Sequence, residues 1–133
     1  MNLTITYNEL SELVNNKVSI RPIFTAVDKK TLKASYRSAN FMPTICVRFQ
    51  IEAMYNNIIC ISYDCGTAAS LVIASFVAYL EKKIPRGIEV NTTDKRVNIY
   101  THRFKQIEKA LEYVALSNIT FNENSANIEL MML

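Results

Sequence analysis

The chain is expected to fold as an α+β domain. Its mixed, mostly antiparallel sheet of short hairpins would pack on one buried helix, at about 67–82, and on two amphipathic helices, at about 7–15 and 103–115. Three observations carry this expectation. From Thr44 to Glu52 the chain alternates cleanly, with Ile45, Val47, Phe49 and Ile51 on one side and Cys46, Arg48, Gln50 and Glu52 on the other, the pattern of a half-buried strand. Turn-forming polar clusters recur between strand-like runs, at Asp28-Lys29-Lys30, Asn56-Asn57, Thr92 to Lys95 and Asn122 to Ser125, and short turns imply antiparallel pairing. The run from Ala68 to Leu80 carries no charge and holds four alanines; it is long for a buried strand and fits nearly four helical turns.

Taken in order, Leu3 and Ile5 alternate with polar neighbours as a short strand or extended lead-in. Thr6-Tyr7-Asn8-Glu9 matches a capping box, in which the Thr hydroxyl and the Glu carboxylate each accept from the other's backbone N–H. Ile5 and Leu10 can staple that helix start, and Leu10, Leu13 and Val14 give its apolar stripe. Val18 to Val27 reads as a strand that Pro22, which lacks a ladder donor, marks as an edge or a bulge. Leu32, Ala34 and Tyr36 alternate on the return strand. Ile58 to Tyr63 is apolar on both faces and is expected to be a central strand that leads to the 67–82 helix. Gly66 breaks that strand, Thr67 can cap the helix, and Pro85 ends it. Ile88 to Asn91 and Arg96 to Tyr100 form a hairpin. Phe104, Ile107, Leu111 and Val114 are spaced for a helix, and Ile119 onward makes a last hairpin with Ile128, Leu130 and Met132 facing inward.

The totals bound the function. With 133 residues, half of them hydrophobic and 20% charged, the chain is expected to be one globular domain spanning 1–133 and not a disordered segment. An uncharged run of thirteen residues is too short to span a bilayer, which needs roughly 20, and Met1-Asn2-Leu3-Thr4 has no leader pattern, so a cytoplasmic protein is expected. Three cysteines and a single histidine offer neither a disulfide framework nor a zinc spacing. Neither cofactor nor metal is expected. Two glycines exclude Gly-rich phosphate loops.

Four sets of residues are candidates for function. Cys65 stands at a strand end before an expected helix start, where free N–H groups favour a thiolate; His102 is the only imidazole available as a base and Asp64 the nearest third group. Gly66 and Thr67 at the same tip could receive an anion or ligand. Lys29, Lys30, Lys33 and Arg37 surround one hairpin, near Tyr36 and Phe41, and could hold nucleic-acid phosphates. Phe41, Met42 and Pro43 form an apolar loop, and Met131 and Leu133 an apolar end, both suited to contact with another protein. For each set a structural role competes: a buried thiol, a turn glycine, a solvated basic face, a loop folded over the core. The function expected is a small non-catalytic interaction or assembly module that associates with itself. The alternatives are a nucleic-acid-binding module using the 29–37 hairpin, a small-ligand or lipid-binding module, and a cysteine-dependent enzyme.

Overall fold

The computed structural model describes residues 1–37, 44–55, 57–66, 87–103, 109 and 112–133. In these, the elements run β1 (Asn2–Thr6), α1 (Tyr7–Val18), β2 (Ile23–Asp28), β3 (Thr31–Tyr36), β4 (Ile45–Tyr55), β5 (Ile58–Asp64), β6 (Ile88–Asn91), β7 (Arg96–Tyr100), a 3-10 turn (Thr101–Arg103), β8 (Val114–Phe121) and β9 (Ser125–Met132). The strands form two antiparallel sheets, a larger one in the order β2-β3-β4-β5-β7-β6 and a smaller one in the order β1-β9-β8.

The expectation of three helices is corrected. Among the described residues there is one α-helix, α1, and one 3-10 turn. The expected helix at 67–82 lies outside the described residues, as do Thr67 and the Phe41-Met42-Pro43 loop. The 103–115 helix fails at both of its ends: Arg103 belongs to the 3-10 turn, and Val114 is already paired with Met132 in β8. At Val114 the hairpin with β9 takes the residue that completes the helical spacing, while residues 104–108, 110 and 111 lie outside the described residues. A single sheet was also expected, and two are found.

Local chemistry explains most boundaries. The capping box opens α1: Glu9 N–H donates to Thr6 Oγ1 and Thr6 N–H to Glu9 Oε1, both at 3.1 Å. The helix runs past Asn15-Asn16 and stops at Ser19, whose left-handed backbone (φ 59°) lets its N–H reach Asn15 O. Its inward seam is Tyr7, Leu10, Ser11 and Val14, at i, i+3, i+4 and i+7, while Leu13 is exposed. The strand expected from Val18 begins only at Ile23, because α1 consumes Val18 and Pro22 precedes the ladder. The other turns follow their residue types. Asp28 Oδ1 accepts from Lys30 N at 2.9 Å, Asn57 takes φ 63°, and Asn91 Oδ1 accepts from Thr93 N and Asp94 N.

The larger sheet has one polar and one apolar face. Val47, Ile59 and Tyr63 are buried on the apolar face, whereas Cys46, Arg48, Gln50 and Glu52 are exposed, so β4 faces the way its alternation requires. β5 lies between β4 and β7, a central position. The two sheets meet at β2 and β3. There Tyr7, Leu32 and Ala126 form a buried cluster with Ile5, Leu10, Phe24, Ala26 and Phe121 packed against it. Ser11 Oγ donates to Pro22 O at 2.6 Å and ties α1 to the start of β2. Three further bonds link the sheets: Phe121 N–H donates to Lys29 O, and the Lys30 ammonium donates to Asn118 Oδ1 and, at 2.7 Å, to Ile119 O.

Candidate functional site

The smaller sheet places one face toward the core, and register shows how far that face extends. Opposite pairs on it are Ile5 and Ala126, Leu3 and Ile128, Phe121 and Ala126, Ile119 and Ile128, Leu116 and Leu130, and Val114 and Met132. One end of this face, at Ile5, Ala126 and Phe121, is covered by the Tyr7–Leu32 cluster. The other end runs on past the cluster. There Met1 is 70% exposed, Leu3 54% and Met132 68%. On the reverse face of the same end, Met131 lies opposite Ala115, and Leu133 donates its N–H to Tyr113 O; Tyr113, Met131 and Leu133 are all exposed. Six large apolar side chains are thus gathered at one end of a sheet, on both of its faces. Single exposed apolar residues are ordinary, whereas a gathered set is a candidate contact surface.

Of these six, Met131 and Leu133 were legible as candidates in the sequence. Met1, Leu3 and Tyr113 were not, and Met132 was expected to face inward; it does lie on the inward face, at a point that the core does not reach. The missing signal is the pairing of β1 with β9, which joins distant parts of the chain.

The basic hairpin does not form one free patch. Lys30 is bound to β8 as described above, and Arg37 donates from Nε and from the guanidinium to Thr44 Oγ1 at 3.1 and 2.9 Å. Lys29 sits at the turn and its carbonyl carries the bond from Phe121. On the polar face of the larger sheet Lys33 lies opposite both Thr25 and Arg48, and Arg48 in turn lies opposite Asp64. The cations there are interleaved with carboxylates.

The register does not bring Cys65 and His102 together. Ser62 is opposite Arg96, and Ile58 is opposite Tyr100. Asp64 and Cys65 leave β5 at the Arg96 end, while His102 follows Tyr100 at the far end. At roughly 3.3 Å per strand residue this separates the thiol and the imidazole by on the order of 20 Å. His102 is exposed and stands edge-on to the Tyr100 ring, 6.3 Å between centroids. Its neighbours belong to a rim network: Tyr100 OH donates to Glu89 Oε2 at 3.0 Å, and the Arg103 guanidinium lies 4.2 Å from the Tyr100 ring centre and 3.4 Å from Glu89 Oε1. The Glu89 carboxylate, by accepting that hydrogen bond, pushes the Tyr100 phenol up from its ordinary value. Burial, with the Cys65 thiol adding to it, pushes the Tyr63 phenol up. Beside Gly66 nothing lies within 4 Å of where a Cβ would stand, so among the described residues no close approach demands glycine there.

A cleft of about 410 Å³ separates α1 from β2 and is lined by Tyr7, Ser11, Glu12, Arg21 and Phe24. The Glu12–Arg21 ion pair, more than half exposed on both sides, closes across it. Among the described residues no group of metal-ligating side chains is assembled, and no helix is long and apolar enough to cross a membrane. No family model, curated protein or solved structure matches this chain.

Proposed function

We propose that the protein is a small, non-catalytic interaction module of the cytoplasm that associates with itself through the apolar end of the β1-β9-β8 sheet. One observation carries this reading: Met1, Leu3 and Met132 continue the core-facing side of that sheet beyond the core, and Tyr113, Met131 and Leu133 flank them. Leaving such a surface in water forgoes roughly 25 cal/mol for each Å² of apolar area that a partner would cover. The exposed Cys46 thiol, 3.6 Å from Ser35 Oγ, suits a reducing compartment. Sedimentation velocity over a range of protein concentrations tests the reading. Association that rises with concentration and is lost in the double variant Leu3→Glu/Met132→Glu supports it; a strict monomer at every concentration overturns it.

Nucleic-acid binding is a second reading and draws on a different observation, the placing of Lys33 beside Arg48 on the exposed face of the larger sheet. Binding of mixed oligonucleotides that weakens steeply with salt would favour it, because phosphate contacts release counterions. If no salt-dependent binding is seen, this reading falls and the first is untouched.

A further inference from the structure

The four sheet edges among the described residues differ in how they are protected. β2 follows Pro22, which is held by Ser11 of α1. β6 is four residues long and carries Glu89. β8 has a bulge between Leu116 and Asn118, and its edge receives the β2–β3 turn through Lys29 O and the Lys30 ammonium. Bulges, short strands, proline and covering turns are the usual defences of an edge. β1, one residue longer than β6, has no bulge, proline or covering turn among the described residues. Asn2–Thr6 contains no charged side chain and no proline, pairs in unbroken register, and among the described residues pairs on one side only.

The hydrogen-bond parity of β1 is fixed by its first bonded pair. Leu130 N–H donates to Met1 O at 2.7 Å and Met1 N to Leu130 O at 3.3 Å, and antiparallel bonded pairs alternate with unbonded ones. Leu3 and Ile5 therefore direct their backbone groups at β9. Asn2, Thr4 and Thr6 direct theirs at the open edge. The Thr6 N–H is already taken by Glu9 Oε1. What remains is the N–H and C=O of Asn2 and of Thr4.

We infer that β1 pairs with β1 of a second copy, antiparallel about a two-fold axis at Leu3; the inference rests on the self-association proposed above and names its register. In this register Asn2 of each copy exchanges both backbone bonds with Thr4 of the other. The open groups of the edge are used, and the capping box stays intact. A ladder centred on Thr4 would set Asn2 against Thr6, whose N–H is not available. The Leu3-centred ladder also brings Leu3 against Leu3 and Met1 against Ile5 on the apolar face. No like charges of side chains meet along Asn2–Thr6, so nothing in the strand opposes a second copy of itself. The two smaller sheets become one sheet of six strands, β8-β9-β1-β1-β9-β8, with the bare edges eliminated.

The register yields a direct test on the full chain in a Cys46→Ser background. Leu3→Cys places two thiols at an unbonded antiparallel pair, about 4.5 Å between Cα atoms, which a disulfide can bridge. Asn2→Cys places its two thiols about 8 Å apart by Cα, beyond that reach. Mild oxidation should cross-link Leu3→Cys into a dimer on denaturing gels and leave Asn2→Cys at the background level. Thr4→Pro removes an outward N–H that β9 does not use, and should raise the dimer dissociation constant tenfold or more with an unchanged circular dichroism spectrum. Equal cross-linking of both cysteine variants overturns the register, even if Thr4→Pro fails to fold. Association retained in Thr4→Pro but lost in Leu3→Glu/Met132→Glu overturns β1 pairing and leaves the proposed function standing. A monomeric parent chain overturns both.

Discussion

At the scale of single residues, Thr6 and Glu9 form the most self-contained device in the molecule. Each satisfies the other's backbone donor at the start of α1. Removing the hydroxyl in Thr6→Ala should cost about 1 kcal/mol, measured as a shift of the urea midpoint without a change in slope. The pair also sets an acid response. The Thr6 backbone N–H, and then its hydroxyl, hold the Glu9 carboxyl below its ordinary value. The Lys30 N–H, followed by the Thr31 hydroxyl, does the same for Asp28. For a carboxyl whose value is lowered by folding, the unfolded chain binds more protons. The stabilisation is present above the unfolded value and is lost as pH falls through the folded one. Midpoints should therefore fall on acidification below the ordinary carboxylate range, and Glu9→Gln should make that fall shallower. An identical acid limb in the variant would show that Glu9 contributes nothing to it.

At the scale of elements, two side chains hold the pieces in place. Ser11 Oγ is the tie between α1 and Pro22; Ser11→Ala leaves the Pro22 carbonyl without that donor, and the cost should be about 1–3 kcal/mol. Lys30 ties the β2–β3 turn to β8. Lys30→Met should destabilise the fold by about 1–2 kcal/mol, as loss of a hydrogen bond from a charged group does, and should leave any oligonucleotide binding unchanged. Both can be read from equilibrium unfolding. These elements also show what was legible beforehand. The hairpin Ile88 to Tyr100, the alternation of β4 and the capping box are written in neighbouring residues, and they appear where the residues place them; the last hairpin starts at Val114, before the expected Ile119. The α1 seam departs from the sequence pattern. Leu13 was counted in the stripe, whereas Tyr7, read as part of the cap, is buried and Ser11 is buried beside it. The seam turns toward Pro22 because Ser11 bonds there, and a serine carries no hydrophobic signal. Of the helical spacing that ends at Val114, only Val114 itself is described, and there pairing with Met132 decides its place. The division into two sheets was not legible, since β1 and β9 carry no local mark of each other.

At the scale of the whole molecule, the smaller sheet has a covered end and a bare end on one face. The Ile5–Ala126–Phe121 end belongs to the core, and the Met1–Leu3–Met132 end is open. Substituting Met132 alone, in Met132→Glu, should leave stability within about 0.5 kcal/mol, as for surface positions. A loss of several kcal/mol would mean that this end is covered in the folded monomer. The candidate enzyme residues follow the same division by position, with Cys65 at one end of β5–β7 and His102 at the other.

The β1–β9 ladder has a consequence for the order of folding. β2 to β5 form a meander in which each strand pairs with its sequence neighbour, and such contacts can form while the chain is still being synthesised. β1 is made before the other described strands and β9 after them, yet they pair with each other. Until β9 emerges from the ribosome, β1 lacks the strand it pairs with. Closing so large a loop is slow relative to closing a hairpin. The smaller sheet should thus complete folding after the meander, and the neutral strand Asn2–Thr6 should be the segment a nascent chain must keep shielded longest.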